Sequence, residues 1–178
     1  SEMRRAAKAV NFGVIYGQTA YGLSRDLGIS RSDADLFIRT WFEVYPGVRE
    51  FSAAVVARAS EEGQVRTWFG RVRRIPELAS RNRNVHQMGE RLAFNTLIQG
   101  TAADLMKLAM IGVHLRLARE CPSARLLLQV HDELLVEAPQ EDAPLVKMIL
   151  EEEMIRPWPF EVPLETGSGI GSSWDDVH

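Results

Sequence analysis

The stretch QVHDELLVE, residues 129–137, sets His131, Asp132 and Glu133 side by side between two apolar runs, ARLLLQV and LLVEAP. The runs are short and bounded by Pro122 and Pro139, the pattern of two strands joined by a very tight turn. Two-residue turns favour Gly or Asn because the backbone must reach positive φ. A His-Asp turn therefore predicts local strain, and strain of that kind gathers at functional sites. Adjacent carboxylates also suit a hard divalent cation such as Mg²⁺, which takes oxygen ligands and cancels their repulsion. The same tip reads equally as a solvated turn with polar residues on it, and two carboxylates alone do not complete a metal site.

A second chemical pattern lies in RRAAKAVNFGVIYG, where Arg4, Lys8, Phe12 and Tyr16 are each four apart. On a helix that spacing drifts only ~40° per step, giving a slowly winding stripe ~18 Å long. Two cations come first and two rings follow. In outline this order fits a nucleoside triphosphate, whose phosphates call for Arg and Lys and whose sugar and base offer surfaces to rings. The opposite side carries Ala6, Val10, Gly13 and Gly17, small enough for another element to pack close. An amphipathic helix with its aromatics in a core accounts for the same spacing. A third line, Arg91, Asn95 and Gln99, again runs at intervals of four among Leu92, Phe94, Leu97 and Ile98. Buried amides need partners; donors on a rigid rod also suit the minor groove of DNA, whose acceptors occur on every base pair.

The chain has 178 residues, enough for one domain or two small lobes, and carries a net charge of −3. That total conceals an asymmetry: residues 1–91 hold 15 Lys and Arg against 10 Asp and Glu, while residues 92–178 hold 6 against 14. A nucleic-acid site beside a metal site would divide charge in this way. The most basic stretch, Val65 to Arg91, includes Arg66, Arg71, Arg73 and Arg74. No signal peptide, membrane span or repeat is evident, and the single Cys121 is expected in packing within a reducing, cytoplasmic setting.

The elements that must position these residues follow from local signals. A helix is expected over residues 3–16, stopped at Gly17, and a second from Ser30, capped with Asp33 three residues on. Its Ala34, Phe37, Ile38, Trp41, Phe42 and Tyr45 are expected to be core. Pro46 opens a third helix that stops at Gly63. QVRTWFGRVRRIP reads as a basic hairpin turning near Gly70. A long helix from about Val85 to Glu120 is expected to break at Gln99-Gly100-Thr101. After the acidic hairpin, QEDAPLVKMILEEEMI is a helix with a solvated acidic face, and FEVPLET is an edge strand if it joins the sheet. The fold class is α+β: a helical lobe over residues 1–80, then a small antiparallel sheet backed by long helices over 81–178.

Three stretches, RRAAKAVNFGVIYG, ERLAFNTLIQGTAADLMK and LLLQVHDELLVEAP, resemble in order and spacing the nucleotide-binding helix, the long palm helix and the carboxylate hairpin of family A DNA polymerases, the bacterial DNA polymerase I group. The resemblance implies that residues 1–80 are the fingers and 81–178 the C-terminal part of the palm. It implies that Arg4 and Lys8 hold the triphosphate of an incoming deoxynucleotide, that Phe12 packs on its sugar and base, and that Tyr16 stands at the templating base. Asp132 would ligate catalytic Mg²⁺, two ions in the complete site, with Glu133 in support. Arg91, Asn95, Gln99, Gln129 and His131 would contact primer-template DNA. The family's other metal-binding aspartate lies on a strand upstream of the nucleotide-binding helix, and Ser1 stands almost at that helix. The chain is therefore expected to need the remainder of a longer polymerase and to be inactive alone.

Two rival readings are open. His86, His114 and the His131-Asp132 pair suggest a metal phosphohydrolase, which requires a helix over 126–137. A nucleic-acid-binding module with a polymerase-like fold and no chemistry is the other.

Overall fold

The computed structural model describes residues 2–177, excepting the side chains of residues 2, 3, 5, 6 and 9. Ala6, expected on the small-residue side of the first helix, is among those exceptions. Two compact units, 1–101 and 102–178, divide the chain, and the division falls inside one helix.

The first unit begins with α1 (Glu2–Ile15), α2 (Ala20–Leu27), α3 (Arg31–Val44) and α4 (Pro46–Glu62). Gly17 takes φ +75° and ends α1 where the sequence places the stop. The short helix α2 had no counterpart in the sequence reading. It needs no long apolar pattern, because Thr19 caps its start by accepting from Gly22 N–H at 3.2 Å and Gly28 ends it at φ +67°. Ser30 caps α3 as expected, accepting from Asp33 N–H at 3.1 Å, a cap that contributes about 1 kcal/mol.

Along α3 the expected core shrinks. Ala34 is buried, Trp41 and Phe42 are half-buried, and Phe37 and Tyr45 are each 49 % exposed. Periodicity identifies an apolar face, but only a neighbour can cover it. What Trp41 gains is a tie to α1, its indole N–H donating to Asn11 Oδ1 at 2.8 Å.

The strands β1 (Gln64–Arg66) and β2 (Val72–Arg74) form the basic hairpin, antiparallel, with Gly70 at φ +89° in its loop. A core of Ala59, Val65, Ile75, Leu78 and Ala93 joins this hairpin to α4 and to the first half of α5 (Arg83–Glu120). Each fully buried aliphatic there contributes about 1.5–3 kcal/mol. The expected break at Gln99-Gly100-Thr101 is absent, and α5 runs through it. Those residues instead receive the hairpin. Thr67 packs where a β-carbon at Gly100 would stand, 2.7 Å from its Cγ2. Thr101 Oγ1 donates to Leu97 O at 2.5 Å and accepts from Trp68 N–H at 3.0 Å.

The second unit contains the rest of α5, then β3 (Arg125–Val130), β4 (Glu133–Glu137) and α6 (Ala143–Ile155). Its core is Val113, Leu117, Cys121, Val146 and Ile149, with Leu134 and Val136 of β4 packed against it. Cys121 is thus a packing residue. The segment 160–166 forms no strand, contrary to expectation: Pro163 has no N–H for a ladder, and Trp158 Nε1 donates to Val162 O at 2.5 Å, folding the chain back on itself.

The acidic face of α6 is also less solvated than expected. Glu153 is 3 % exposed and takes Arg156 Nη1 at 2.9 Å and Arg116 Nη1 at 3.4 Å, while Arg116 also reaches Glu152 at 2.5 Å and Glu120 at 3.0 Å. Two arginines make burial of that carboxylate tolerable. The Arg116 and Arg119 guanidiniums beside Glu120 hold its carboxyl down at about 2.

A depressed carboxyl contributes stability that is complete above the ordinary glutamate range and vanishes as pH falls through the depressed value. The contribution of Glu120 is therefore expected to fade between about pH 4.5 and 2, read by urea unfolding along a pH series. A second expectation concerns Gly112, where a β-carbon would strike Glu153 Oε2. Gly112→Ala is expected to destabilise the wild-type chain although alanine improves helix propensity by about 1 kcal/mol. In a Glu153→Ala background the same change is expected to stabilise, and thermal melts of the four proteins check the reversal of sign.

Candidate functional site

In the first unit α1 carries the cation-and-ring stripe on an exposed surface. Arg4 and Lys8 are exposed, Phe12 is 50 % exposed and Tyr16 half-buried. The two rings lie nearly parallel, centroids 6.5 Å apart at 10°, and Lys8 Nζ stands 5.7 Å over the Phe12 ring. Rings one helical turn apart can lie parallel only where nothing wedges between them. The resulting flat apolar surface ends on a cation, an arrangement worth roughly 0.5–1 kcal/mol at an exposed site.

A cavity of about 520 Å³ opens beside the rings, lined by Phe12, Gly13, Tyr16, Gly17, Gln18, Thr19 and Arg91. Arg91 enters it because Gly17 has no side chain: a β-carbon there would lie 2.9 Å from Arg91 Cγ. Two patterns that were separate in the sequence, the ring stripe and the polar line of α5, therefore meet at Gly17. Sequence reasoning missed Gln18 and Thr19. Their only signal was position, immediately after a helix stop.

Along α5, Gln99 is exposed and Asn95 is half-buried. Asn95 Oδ1 is buried and makes no hydrogen bond among the described residues, an acceptor left open on the polar line. Arg73 Nη1 donates to Thr96 Oγ1 at 3.0 Å, which brings the basic hairpin against that part of the helix.

In the second unit the acidic turn has the predicted strain. His131 sits at φ 53°, the one non-glycine with positive φ among the described residues, and Val130 pairs with Glu133 across a two-residue connection. Gln129, expected as a DNA contact, braces the turn here by donating from Nε2 to His131 O at 2.6 Å. A register shift between Leu126 and Leu128 lets the strands twist before the turn. Alternation along β4 places Leu134 and Val136 toward the core and Glu133 on the other face with Leu135.

His131, Asp132 and Glu133 are all exposed. Asp132 and Glu133 line a groove of about 1040 Å³ whose walls include Val146, Leu150 and Met154 of α6 and the segment 166–174. No group of three or more His, Cys, Asp or Glu that could hold a metal ion occurs among the described residues. The carboxylate pair fits a hard cation in donor type but supplies part of a coordination sphere. The phosphohydrolase reading fails, because residues 126–137 form two strands and their turn where it requires a helix.

The sequence profile of DNA polymerase family A matches residues 1–176. The chain belongs to that family. DNA polymerase I, thermostable, from Thermus filiformis is 47% identical over 173 residues, covering 97% of this chain and 20% of the relative. DNA polymerase I of Bacillus subtilis (strain 168) is 47% identical over 177 residues, covering 99% and 20%. Among solved structures, the POL domain of Pol1 from M. smegmatis in complex with DNA primer-template and dNTP superposes with a TM-score of 0.93 at 42% identity, covering 98% of this chain and 31% of that one. The chain thus spans about a fifth of the length of the curated relatives it matches. None of its described helices is long and apolar enough to cross a membrane.

The energy held in the turn is open to measurement. Replacing His131 by glycine removes the left-handed penalty of a β-carbon, about 1 kcal/mol. His131→Gly is expected to raise the unfolding midpoint of the second unit, and an unchanged or lower midpoint would show that the turn is not strained.

Proposed function

We propose that this chain is the fingers, residues 1–80, and the C-terminal part of the palm, residues 81–178, of a DNA-directed DNA polymerase that adds deoxynucleotides to a primer 3′-OH. The reading is supported above all by the family match along residues 1–176, which carries all three motifs in their order.

Arg4 and Lys8 hold the triphosphate of the incoming nucleotide as exposed cations on the first turns of α1. Phe12 offers its exposed ring to the sugar and base, and Tyr16, stacked behind it, stands at the templating base. A rigid stack suits this task, since catalysis of phosphoryl transfer is mainly positioning and charge stabilisation. Asp132 ligates Mg²⁺ and Glu133 supports it. Two such ions, when bound, favour ionisation of the attacking oxygen and neutralise charge on the leaving pyrophosphate. Arg91, Asn95, Gln99, Gln129 and His131 contact primer-template DNA, and their side-chain donors suit the acceptors that every base pair carries in the minor groove. The arginines around Gly70 meet the template backbone, where guanidinium forks suit phosphate.

Because the described residues supply two clustered carboxylates, the remaining ligands come from elsewhere in a longer chain and from the substrate. The isolated chain is expected to give no Mg²⁺-dependent primer extension; synthesis by the purified 178-residue chain would reject that. In the intact parent polymerase, Asp132→Asn is expected to abolish incorporation and leave primer-template affinity within about threefold, since carboxylates add nothing to phosphate attraction. Near-normal turnover would remove Asp132 from the metal role. Phe12→Tyr is expected to ease dideoxynucleotide incorporation in competition assays, and unchanged selectivity would count against the nucleotide stripe. DNA binding without Mg²⁺ affinity or turnover in that parent would favour the non-catalytic module.

A further inference from the structure

Gln18, the third residue past the end of α1, does not extend into solvent as long polar side chains at turns usually do. Its carboxamide lies between two helices. A β-carbon at Gly13 of α1 would run into Gln18 Oε1, and one at Gly22 of α2 would stand 3.1 Å from Gln18 Cγ and 3.3 Å from Nε2. The Nε2 group donates to Asp26 Oδ2 at 2.6 Å, one turn farther along α2. Ordering a glutamine costs rotamer entropy, and the charge-assisted hydrogen bond to Asp26 offsets that cost. The backbone contributes as well, Gln18 N–H closing the helix end on Gly13 O at 2.8 Å.

This residue forms part of the wall of the cavity that holds Phe12, Tyr16 and Arg91. Around that cavity α1 is tied to α3 through Asn11 and Trp41 and to α5 through Gly17 and Arg91. Gln18 supplies the corresponding tie to α2. The end of α1, together with the turn after it that bears Tyr16, is thereby held from three sides.

We infer that Gln18 is a positioning residue for nucleotide selection: its link to Asp26 holds α2 against the end of α1 and so sets the plane in which the Phe12–Tyr16 stack meets the incoming base pair. The inference rests on the polymerase reading and deepens it. A residue that sets where a ring stands acts on discrimination between pairs, because a displaced ring admits a misfit that a fixed one excludes. It has no reason to alter affinity for primer-template DNA.

The test uses the intact polymerase that carries this segment. Gln18→Glu replaces the donor by an acceptor and faces Asp26 with a second carboxylate; adding Asp26→Asn restores a donor and an acceptor with their places exchanged. Gln18→Glu is expected to lose about tenfold in the ratio of kcat/KM for correct over mismatched nucleotide, the size of one lost charge-assisted hydrogen bond. The loss is expected mainly as a lower KM for the mismatched nucleotide, with kcat for the correct nucleotide and primer-template Kd unchanged. The double variant is expected to recover to within about twofold, since the hydrogen bond is restored in reverse. Gln18→Leu, which deletes the donor without adding charge, is expected to show the same loss with its melting temperature preserved.

Wild-type discrimination in Gln18→Glu and Gln18→Leu overturns the inference. So does a double variant no better than the single one, or a loss of selectivity that only follows a lower melting temperature. Failure of the polymerase reading itself looks different, since the wild-type parent would then incorporate nothing.

Discussion

The Arg91 side chain passes over the turn after α1, where a β-carbon at residue 17 would come within 2.9 Å of its Cγ, and that close approach is what joins the ring stripe to the polar line of α5. The same device recurs in both units. Thr67 seats the basic hairpin at Gly100, Gln18 lies between Gly13 and Gly22, and Glu153 lies over Gly112. At each point a long or polar side chain from one element fills the space that a missing β-carbon leaves on another. Such contacts are short-range and unforgiving, because close-packed protein cannot absorb an added methyl without displacing something. They fix side-chain positions to fractions of an ångström, the precision that a preorganised site requires.

The two units meet this demand with different materials. The first relies on apolar packing around Ile75 and Ala93 and on single hydrogen bonds between helices, such as Asn11 with Trp41. The second adds charge. Arg116 gathers Glu120, Glu152 and Glu153 and so fastens α6 to α5 behind the acidic hairpin. With that support at its back, β4 packs Leu134 and Val136 inward while the turn beyond it keeps His131 at φ 53°. Strain at one residue persists only where its surroundings over-determine it. Gln129, donating to the His131 carbonyl, is part of that surrounding structure.

Much of the architecture was legible because its signals are local. Gly17 and Gly63 stop helices, Ser30 and Pro46 start them, and the basic hairpin turns at Gly70, each where the residue types demand, while the turn at His131-Asp132 is marked by the apolar runs on either side of it. Signals failed where a longer-range contact decided the outcome. Gly100 and Thr101 read as a helix break and are instead the seat of Thr67 and the hydrogen-bond partner of Trp68. Glu153 reads as one more solvated acid and is buried between two arginines. Helix α2 escaped notice because eight residues between two caps carry too little periodicity.

The sequence by itself determined the chemical groups and their order: two cations and two rings at intervals of four, a polar line at the same interval, and paired carboxylates in a turn that glycine would favour. Those follow from helical and strand periods and from the φ preferences of single residues, all properties of neighbours along the chain. Only the tertiary structure decided that Arg91 shares a cavity with Phe12 and Tyr16, that Gln18 bridges two helices, that Gln129 also braces the turn, and that Phe37 and Tyr45 stay exposed. These outcomes depend on which surfaces approach closely enough to exclude a β-carbon or to cover a ring, and the spacing of residues along a chain carries no measure of that distance.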